Sequence, residues 1–213
     1  MIFTRNNSPF PESNKERNLY YKVFAGCIFN EIIDKNNLPN TFIEKLKERY
    51  EYTCEIFSVK ENQDVYTCLE QLKIDFKNNN LNVSFDYHIN LIDENSDRGE
   101  LADIFINGTN TFISIEAKYL ENYKFEKDIR INRERIKIAI DKSKYTGIEV
   151  LLIKSSKLKN STVNYTYLEE YMGNKDNQDI PFIIIFWEDI LDIIKLDSRM
   201  WNVYEYLSKS IER

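Results

Sequence analysis

The sequence predicts an α/β fold in which a mixed central sheet is flanked by helices and preceded by a helical extension. Three segments before residue 80 show the apolar periodicity of helices. Three segments between residues 83 and 119 then alternate apolar and polar residues, as half-buried strands do. A helix, an apolar strand, a second apolar strand and a last helix follow. This order of elements is typical of an α/β sandwich with a mixed sheet.

Three helices are predicted in the first part of the chain, near residues 14–34, 41–57 and 59–78. Each begins after a serine or threonine that a glutamate follows three positions later, which is the spacing of a capping box. These pairs are Ser13–Glu16, Thr41–Glu44 and Ser58–Glu61. We interpret residues 1–58 as an N-terminal helical extension packed on a core of residues 59–213, and the whole as one compact domain.

The elements of the core are predicted in order from their patterns and turn signals. The third helix ends in the polar segment KNNNLN, after which VSFDYHINLI alternates like a strand. ELADIFIN and TFISIEAKY then flank GTN, which is typical of a tight hairpin. The remaining elements are a helix near 123–144, the strand IEVLLIKSS, an irregular stretch from about 156 to 179, the strand PFIIIFW and a helix near 188–211.

Composition limits the classes of function. The chain has 213 residues, of which 42% are hydrophobic, so it can bury one core, and no segment approaches the ~20 apolar residues of a membrane span. We therefore expect a soluble, cytoplasmic protein with no membrane partner. Cys27, Cys54 and Cys68 lack a paired metal-ligand spacing and are interpreted as reduced thiols. His88 is the only histidine, which largely excludes Ser/His, Cys/His and multi-histidine metal mechanisms.

Charge is unevenly distributed along the chain. The formal net charge is −6, but between Lys118 and Asn160 twelve Lys and Arg residues accompany six Asp and Glu residues, a local charge of +6. Within this region the helix near 123–144 carries a basic stripe that borders its apolar face. The stripe consists of Arg130, Arg133, Lys137 and Lys144. Such a stripe can contact phosphates and is a candidate for nucleic-acid binding. A merely solvated helix face is the alternative, since Glu134 and Asp141 dilute its charge.

The predicted hairpin carries the residues that can do chemistry. Alternate side chains of a strand share a face, so Glu116 and Lys118 are presented together at the end of TFISIEAKY. Asp103 lies on the preceding strand, and the hairpin brings it beside Glu116. Two carboxylates can bind one hard cation, Mg²⁺ or Mn²⁺, while waters complete the octahedron. Lys118 can then hold or polarise the attacking water of phosphodiester hydrolysis.

The segments ADIFI and IEAK resemble the acid and the (D/E)XK motif of the PD-(D/E)XK nuclease superfamily, which has the restriction-endonuclease-like fold. The resemblance covers residues from about 59 to 154 and implies a core of a helix, three strands, a helix and a strand. It implies that Asp103 and Glu116 bind the metal, that the Ala117 carbonyl is a further ligand and that Lys118 is the catalytic lysine. Ala102 stands in place of the family's name-giving proline, which is often replaced.

The resemblance implies an enzyme, a Mg²⁺-dependent nuclease that hydrolyses DNA phosphodiester bonds. An endonuclease of restriction or other defence, of mobile-element processing or of repair fits it. DNA is expected over RNA, and a homodimer is the expectation for an enzyme that cuts both strands of a duplex. Two alternatives remain. A protein of the same fold can bind nucleic acid or a protein partner without cutting, or the hairpin charges can form a structural salt bridge only.

A further acidic ligand is expected from the helix before the first core strand. Glu61 falls on the apolar stripe of that helix at helical spacing, where an unpaired carboxylate is costly, and is the first candidate for an additional metal ligand. Asp64 is the second candidate and Glu31 the third. The alternative for Glu61 is a place in the capping box. Asp75 and Lys77 form another D-x-K pair, but no hairpin acid precedes them.

Overall fold

The structure of the protein is a computed structural model that describes residues 23–29, 37–88, 101–118, 125–159, 162–196, 198 and 201–211. The strands are β1 (Asn82–His88), β2 (Leu101–Asn107), β3 (Thr111–Ala117), β4 (Thr146–Ile153) and β5 (Phe182–Phe186). The helices are α1 (Leu38–Ile56), α2 (Gln63–Lys77), α3 (Phe125–Ser143), α4 (Ser155–Lys159), α5 (Thr162–Gly173), α6 (Trp187–Ile194) and α7 (Trp201–Ile211). A π-helical turn spans Phe24–Ile28, and a 3-10 turn spans Lys175–Asn177.

The protein has an α/β fold with a mixed sheet of five strands, which confirms the predicted class. The strand order is β1-β2-β3-β4-β5; β2 is antiparallel to both β1 and β3, whereas β3, β4 and β5 are mutually parallel. β2 and β3 are joined by the predicted GTN turn, where the Gly108 N–H donates to the Thr111 carbonyl at 2.8 Å. Helical segments connect β3 to β4 and β4 to β5. Such connections are needed because the chain must return to the starting end of one strand before it can form a parallel neighbour.

Helices cover both faces of the sheet. Strand β3 is buried at all seven positions. Ile113 and Ile115 point into the larger core, which they share with apolar side chains of α1, α2 and α6. On the other face Phe112 packs against Ile136 of α3. Because both faces are buried, each polar residue within the central strands needs a partner inside the protein.

Helix α1 closes the outer edge of strand β5. The Thr53 hydroxyl accepts the N–H of Ile184 at 3.1 Å and donates to the Arg49 carbonyl at 2.6 Å. A sheet edge exposes unpaired backbone groups, and this hydroxyl satisfies one of them. The part of the predicted extension that is described therefore packs against the sheet and shares its core. The boundary at residue 58 stays a prediction.

Helix α2 is tied to the β2–β3 turn by its last turn. Asp75 is 1% exposed, and its carboxylate accepts both the N–H and the hydroxyl of Thr109, at 2.9 and 3.0 Å. A Cβ on Gly108 would lie 2.3 Å from the Asp75 Oδ2 atom, so glycine permits this close approach. The carboxyl end of α2 thus lies at the turn.

The predicted starts of two helices are wrong. Helix α1 begins at Leu38, so Thr41 lies inside it and does not cap it. Helix α2 begins at Gln63, after Asn62, whose side chain accepts the Asp64 N–H at 3.0 Å. The Ser58–Glu61 capping box therefore does not form, and Ser58 adopts a left-handed φ of 52°. The third predicted pair, Ser13–Glu16, lies outside the described residues.

Two predicted segments after strand β4 also need correction. The stretch from 156 to 179 is largely helical, since it contains most of α4 and all of α5. Helix α5 has almost no amphipathic pattern, so the apolar periodicity that marks other helices is missing there. The last predicted helix is two helices, α6 and α7. Within the described part of the chain, no helix is both long and apolar enough to cross a bilayer.

Candidate functional site

The hairpin places Asp103 and Glu116 side by side. The register of β2 and β3 pairs Ile104 with Ile115 and Phe105 with Ser114. Asp103 is the residue before Ile104 and Glu116 is the residue after Ile115, where this register ends. The two carboxylates predicted to act together therefore lie at one end of the hairpin.

The Asp103 carboxylate is held against the backbone of β3. Its Oδ2 atom accepts the N–H of Ala117 at 2.8 Å. The next N–H, that of Lys118, faces the other way and donates to the Leu152 carbonyl of β4 at 2.8 Å. The carboxylate thus occupies the place that a carbonyl of β2 takes in a regular ladder. This bond fixes the acid at the end of β3.

Glu116 and Lys118 form an ion pair on the same side of the strand. The distance between Lys118 Nζ and Glu116 Oε1 is 2.7 Å, and 18% and 10% of the two side chains are exposed. Asp103 is partly exposed as well. All three groups lie near the surface with most of their water removed, a setting in which electrostatic interactions are stronger than in bulk water. Residues 89–100 and 119–124, which adjoin these groups in sequence, lie outside the described residues.

The oxygen atoms at this position suit a hard divalent cation. Asp103 and Glu116 supply two carboxylates, and the Ala117 carbonyl belongs to the same end of β3. Mg²⁺ is commonly bound through one or two carboxylates and retains several waters, so this donor set fits it. Mn²⁺ accepts the same ligands.

The predicted additional acidic ligand does not join this pair. Glu61 precedes helix α2, and its Oε2 atom accepts the hydroxyl of Tyr66 at 2.7 Å. Asp64 lies in the first turn of α2. Among the described residues, no group of three or more His, Cys, Asp and Glu side chains is arranged to hold a metal ion. Because Glu61 precedes α2, the prediction that it lies on the apolar stripe of that helix is wrong. Glu31 lies outside the described residues.

Arg133 is inside the protein, so its prediction as a phosphate contact is wrong. The residue is 3% exposed. Its guanidinium donates to Glu149 Oε2 at 3.2 Å, to the Ile180 carbonyl at 2.7 Å and to Asp179 Oδ1 at 2.8 Å, and it also bonds to the Asn177 carbonyl. A guanidinium engaged in this way cannot reach a nucleic acid. Arg133 borders the apolar face of α3, and this border lies in the core because other elements pack over it.

Glu149 is the centre of a buried polar network that the sequence did not single out. Besides Arg133, Tyr171 donates to it at 3.0 Å and Asn132 at 3.2 Å, and Asn132 in turn accepts the Ser114 hydroxyl at 2.8 Å. Burial raises the pKa of Glu149 to about 7, although the Arg133 charge and the hydrogen bonds lower it in part. The signal available in the sequence was the single charge within the apolar run IEVLLI.

The other members of the basic stripe are spread along α3. Arg130 is exposed and pairs with Glu134 at 3.2 Å, while Lys137 lies 3.5 Å from Asp179. Lys144 follows the last residue of α3 and is exposed. Lys144 comes fourteen positions after Arg130, which corresponds to about 21 Å at the rise of an α-helix. Helix α3 runs back from the end of β3, so Lys144 lies at the end of the sheet away from Glu116.

Comparisons of the chain with protein-family models, with curated proteins and with solved structures found no match. The resemblance to the PD-(D/E)XK superfamily therefore rests on the residues of the hairpin and on the order of the elements in this chain.

Proposed function

We propose that the protein is a Mg²⁺-dependent nuclease of the PD-(D/E)XK superfamily, with a restriction-endonuclease-like core, that hydrolyses DNA phosphodiester bonds. The observation that carries the proposal is the meeting of Asp103, Glu116 and Lys118 at the end of the β2–β3 hairpin. An acid on one strand, a second acid opposite it and a lysine two positions further match the residue pattern of that superfamily. The order of α2, three strands, α3 and β4 also agrees with its core.

In this proposal Asp103, Glu116 and the Ala117 carbonyl hold Mg²⁺ or Mn²⁺. When bound, the cation supplies positive charge to the phosphoryl group and lowers the pKa of a bound water. Lys118 would orient the attacking water and stabilise the negative charge that develops, and its 2.7 Å contact with Glu116 keeps the amine at the site. The hydrogen bond from Ala117 to Asp103 preorganises the first acid, so less ordering is required when substrate arrives.

The proposed substrate and biological setting come from the resemblance to the superfamily and not from contacts within the structure. DNA is proposed over RNA, and restriction or other defence, mobile-element processing and repair are the proposed settings. Arg130, Lys137 and Lys144 have side chains that are at least partly exposed, and they remain proposed phosphate contacts. A homodimer is proposed for cleavage of both strands.

Metal binding gives a first test that does not depend on activity. Calorimetric titration with Mn²⁺ is expected to detect binding to the native protein. Asp103→Asn and Glu116→Gln are expected to weaken it by at least the ~10–100-fold that loss of outer ligand partners produces. Asp141→Asn removes an exposed carboxylate near the far end of α3 and serves as the control. Equal Mn²⁺ affinity in all four proteins would refute the metal site.

Cleavage of plasmid and oligonucleotide DNA with Mg²⁺ tests the activity. Lys118→Ala is expected to reduce the rate by about 10²-fold or more, because a preorganised charge at the reacting group is lost. Lys77→Ala is a matched control, since Lys77 belongs to the chain's other D-x-K pair and is exposed on α2. Native protein that shifts DNA on a gel, yet leaves it intact across salt and pH, would instead identify a binding module.

A further inference from the structure

The junction of strand β5 and helix α6, residues Trp187–Asp189, binds three separate parts of the fold through three consecutive side chains. Trp187 bonds to the residue that follows β3, Glu188 to the start of α4 and Asp189 to α1. These partners lie far apart in sequence. The junction therefore connects the carboxyl ends of β3, β4 and β5. The candidate site lies at this end of the sheet.

Trp187 forms a hydrogen bond with the backbone of Lys118. Its indole N–H donates to the Lys118 carbonyl at 3.0 Å, and the ring is fully buried in the core. On the other side of the same residue, the Lys118 N–H donates to the Leu152 carbonyl at 2.8 Å. Both backbone polar groups of Lys118 are thus held by neighbouring elements. Its Cα position, from which the side chain reaches Glu116, is set by these two bonds.

The junction is itself anchored, so Trp187 is a fixed donor. The Glu188 carboxylate accepts the N–H and the hydroxyl of Ser155, at 3.1 and 2.6 Å. The Asp189 carboxylate accepts two bonds from Arg49, at 2.7 and 2.6 Å, and the Phe186 N–H at 2.9 Å. A bidentate guanidinium–carboxylate pair restricts orientation as well as distance.

We propose that Trp187 is a positioning residue of the candidate site, which holds the Lys118 amine at its working place beside Glu116 through the Lys118 backbone. The inference rests on the proposed nuclease function for its catalytic consequence, but the placement of Lys118 is a separate physical claim. A displacement of a reacting group by about 1 Å can cost on the order of 10²-fold in rate. Trp187 does not contact substrate in this proposal.

Two replacements of Trp187 separate the hydrogen bond from packing. Trp187→Phe removes the donor and part of the ring, whereas replacement by benzothienylalanine keeps the two-ring shape and lacks the N–H. Trp201→Phe is the matched control, because Trp201 is 61% exposed and stacks on Tyr204 at the surface. Circular dichroism and thermal melting identify any variant that fails to fold, in which case the benzothienylalanine protein carries the test.

The first measurement is competitive amine labelling of Lys118 at a single pH, read by mass spectrometry. Both Trp187 variants are expected to change the labelling rate of Lys118 at least about threefold, while that of Lys77 is unchanged. Labelling of Lys118 that matches the native protein in both variants would overturn the proposal. This readout needs no cleavage, so it holds or fails independently of the proposed function.

The second measurement is the rate of Mg²⁺-dependent DNA cleavage. Both Trp187 variants are expected to lower kcat by about 10- to 100-fold with KM within about twofold of the native value, because alignment and not binding is lost. A raised KM with unchanged kcat would overturn the positioning role. Absence of cleavage by the native protein would refute the proposed function, and the labelling result would then decide the placement of Lys118.

Discussion

Replacement of Arg133 tests the buried charges between helix α3 and strand β4. Arg133→Met removes the guanidinium that pairs with Glu149 at 3.2 Å and with Asp179 at 2.8 Å. Glu149 is 1% exposed, so without that cation it must either stay charged inside the protein or take up a proton, and both cost free energy. Breaking a buried pair from one side typically costs about 3–5 kcal/mol. We expect the free energy of unfolding at pH 8 to fall by about that amount.

The loss is expected to shrink in mild acid, because Glu149 can then take a proton. Burial raises the pKa of Glu149 from 4.5 to about 7 in the native protein, against the opposing charge of Arg133. A carboxyl group whose pKa is raised by folding binds more protons in the folded state, so stability declines as the pH rises between these values. At ~1.4 kcal/mol per pKa unit, the difference between 4.5 and about 7 corresponds to roughly 3 kcal/mol. Without Arg133 the pKa rises further, and the decline extends to higher pH.

Urea unfolding of native and variant protein at pH 5.5 and pH 8, followed by circular dichroism, measures both effects. Arg130→Met is the control on the same helix, since its exposed pair with Glu134 is expected to contribute only about 0.2–1 kcal/mol. Partial burial raises the pKa of Asp179, but its hydrogen bond with Arg133 and the Arg133 charge bring it below 3.8, outside this pH range. An equal loss at both pH values, or a loss under about 1 kcal/mol at pH 8, would refute the reasoning.

Two further substitutions test the contacts that join helices to the sheet, both by urea unfolding. Gly108→Ala is expected to lower the free energy of unfolding by about 1–3 kcal/mol, because the new Cβ lies 2.3 Å from Asp75 Oδ2. Gly173→Ala meets nothing within 4 Å and is expected to cause no loss, so equal effects would contradict the contact. Thr53→Val removes the acceptor of the Ile184 N–H and is expected to cost about 1–3 kcal/mol. Hydrogen exchange at that amide should accelerate, and unchanged protection would show that the hydroxyl is not its partner.

The hairpin is the part of the molecule that could be predicted most completely. Its turn, its two strands and the positions of Asp103, Glu116 and Lys118 depend on residues within one short segment. Alternation assigns each side chain to a face, and the turn length sets the register. Local sequence therefore contains almost all the information that determines which of these groups meet.

Helix starts were less predictable because several local patterns compete for the same role. Thr41–Glu44 and Ser58–Glu61 have the spacing of capping boxes, yet the helices begin at Leu38 and Gln63. The end of α2 is tied to the β2–β3 turn through Asp75, a contact between residues 34 positions apart. Tertiary packing of this kind decides between local alternatives that propensity leaves nearly equal.

The periodicity of α3 alone did not predict that Arg133 is buried. Considering α3 together with β4 would have predicted it. Helical spacing correctly placed Arg133 at the border of the apolar face. This border is covered by α5 and by the segment before β5, which follow about 40 residues later in the sequence. The informative residue was Glu149, a carboxylate in the middle of a buried strand. Such a charge requires a partner on the element that covers it, and α3 offers Arg133 there. The same reasoning applies to Glu116, which interrupts an apolar strand at 7% exposure and has Lys118 at 2.7 Å. A carboxylate within an apolar strand pattern therefore predicts a nearby cation from the amino-acid sequence alone.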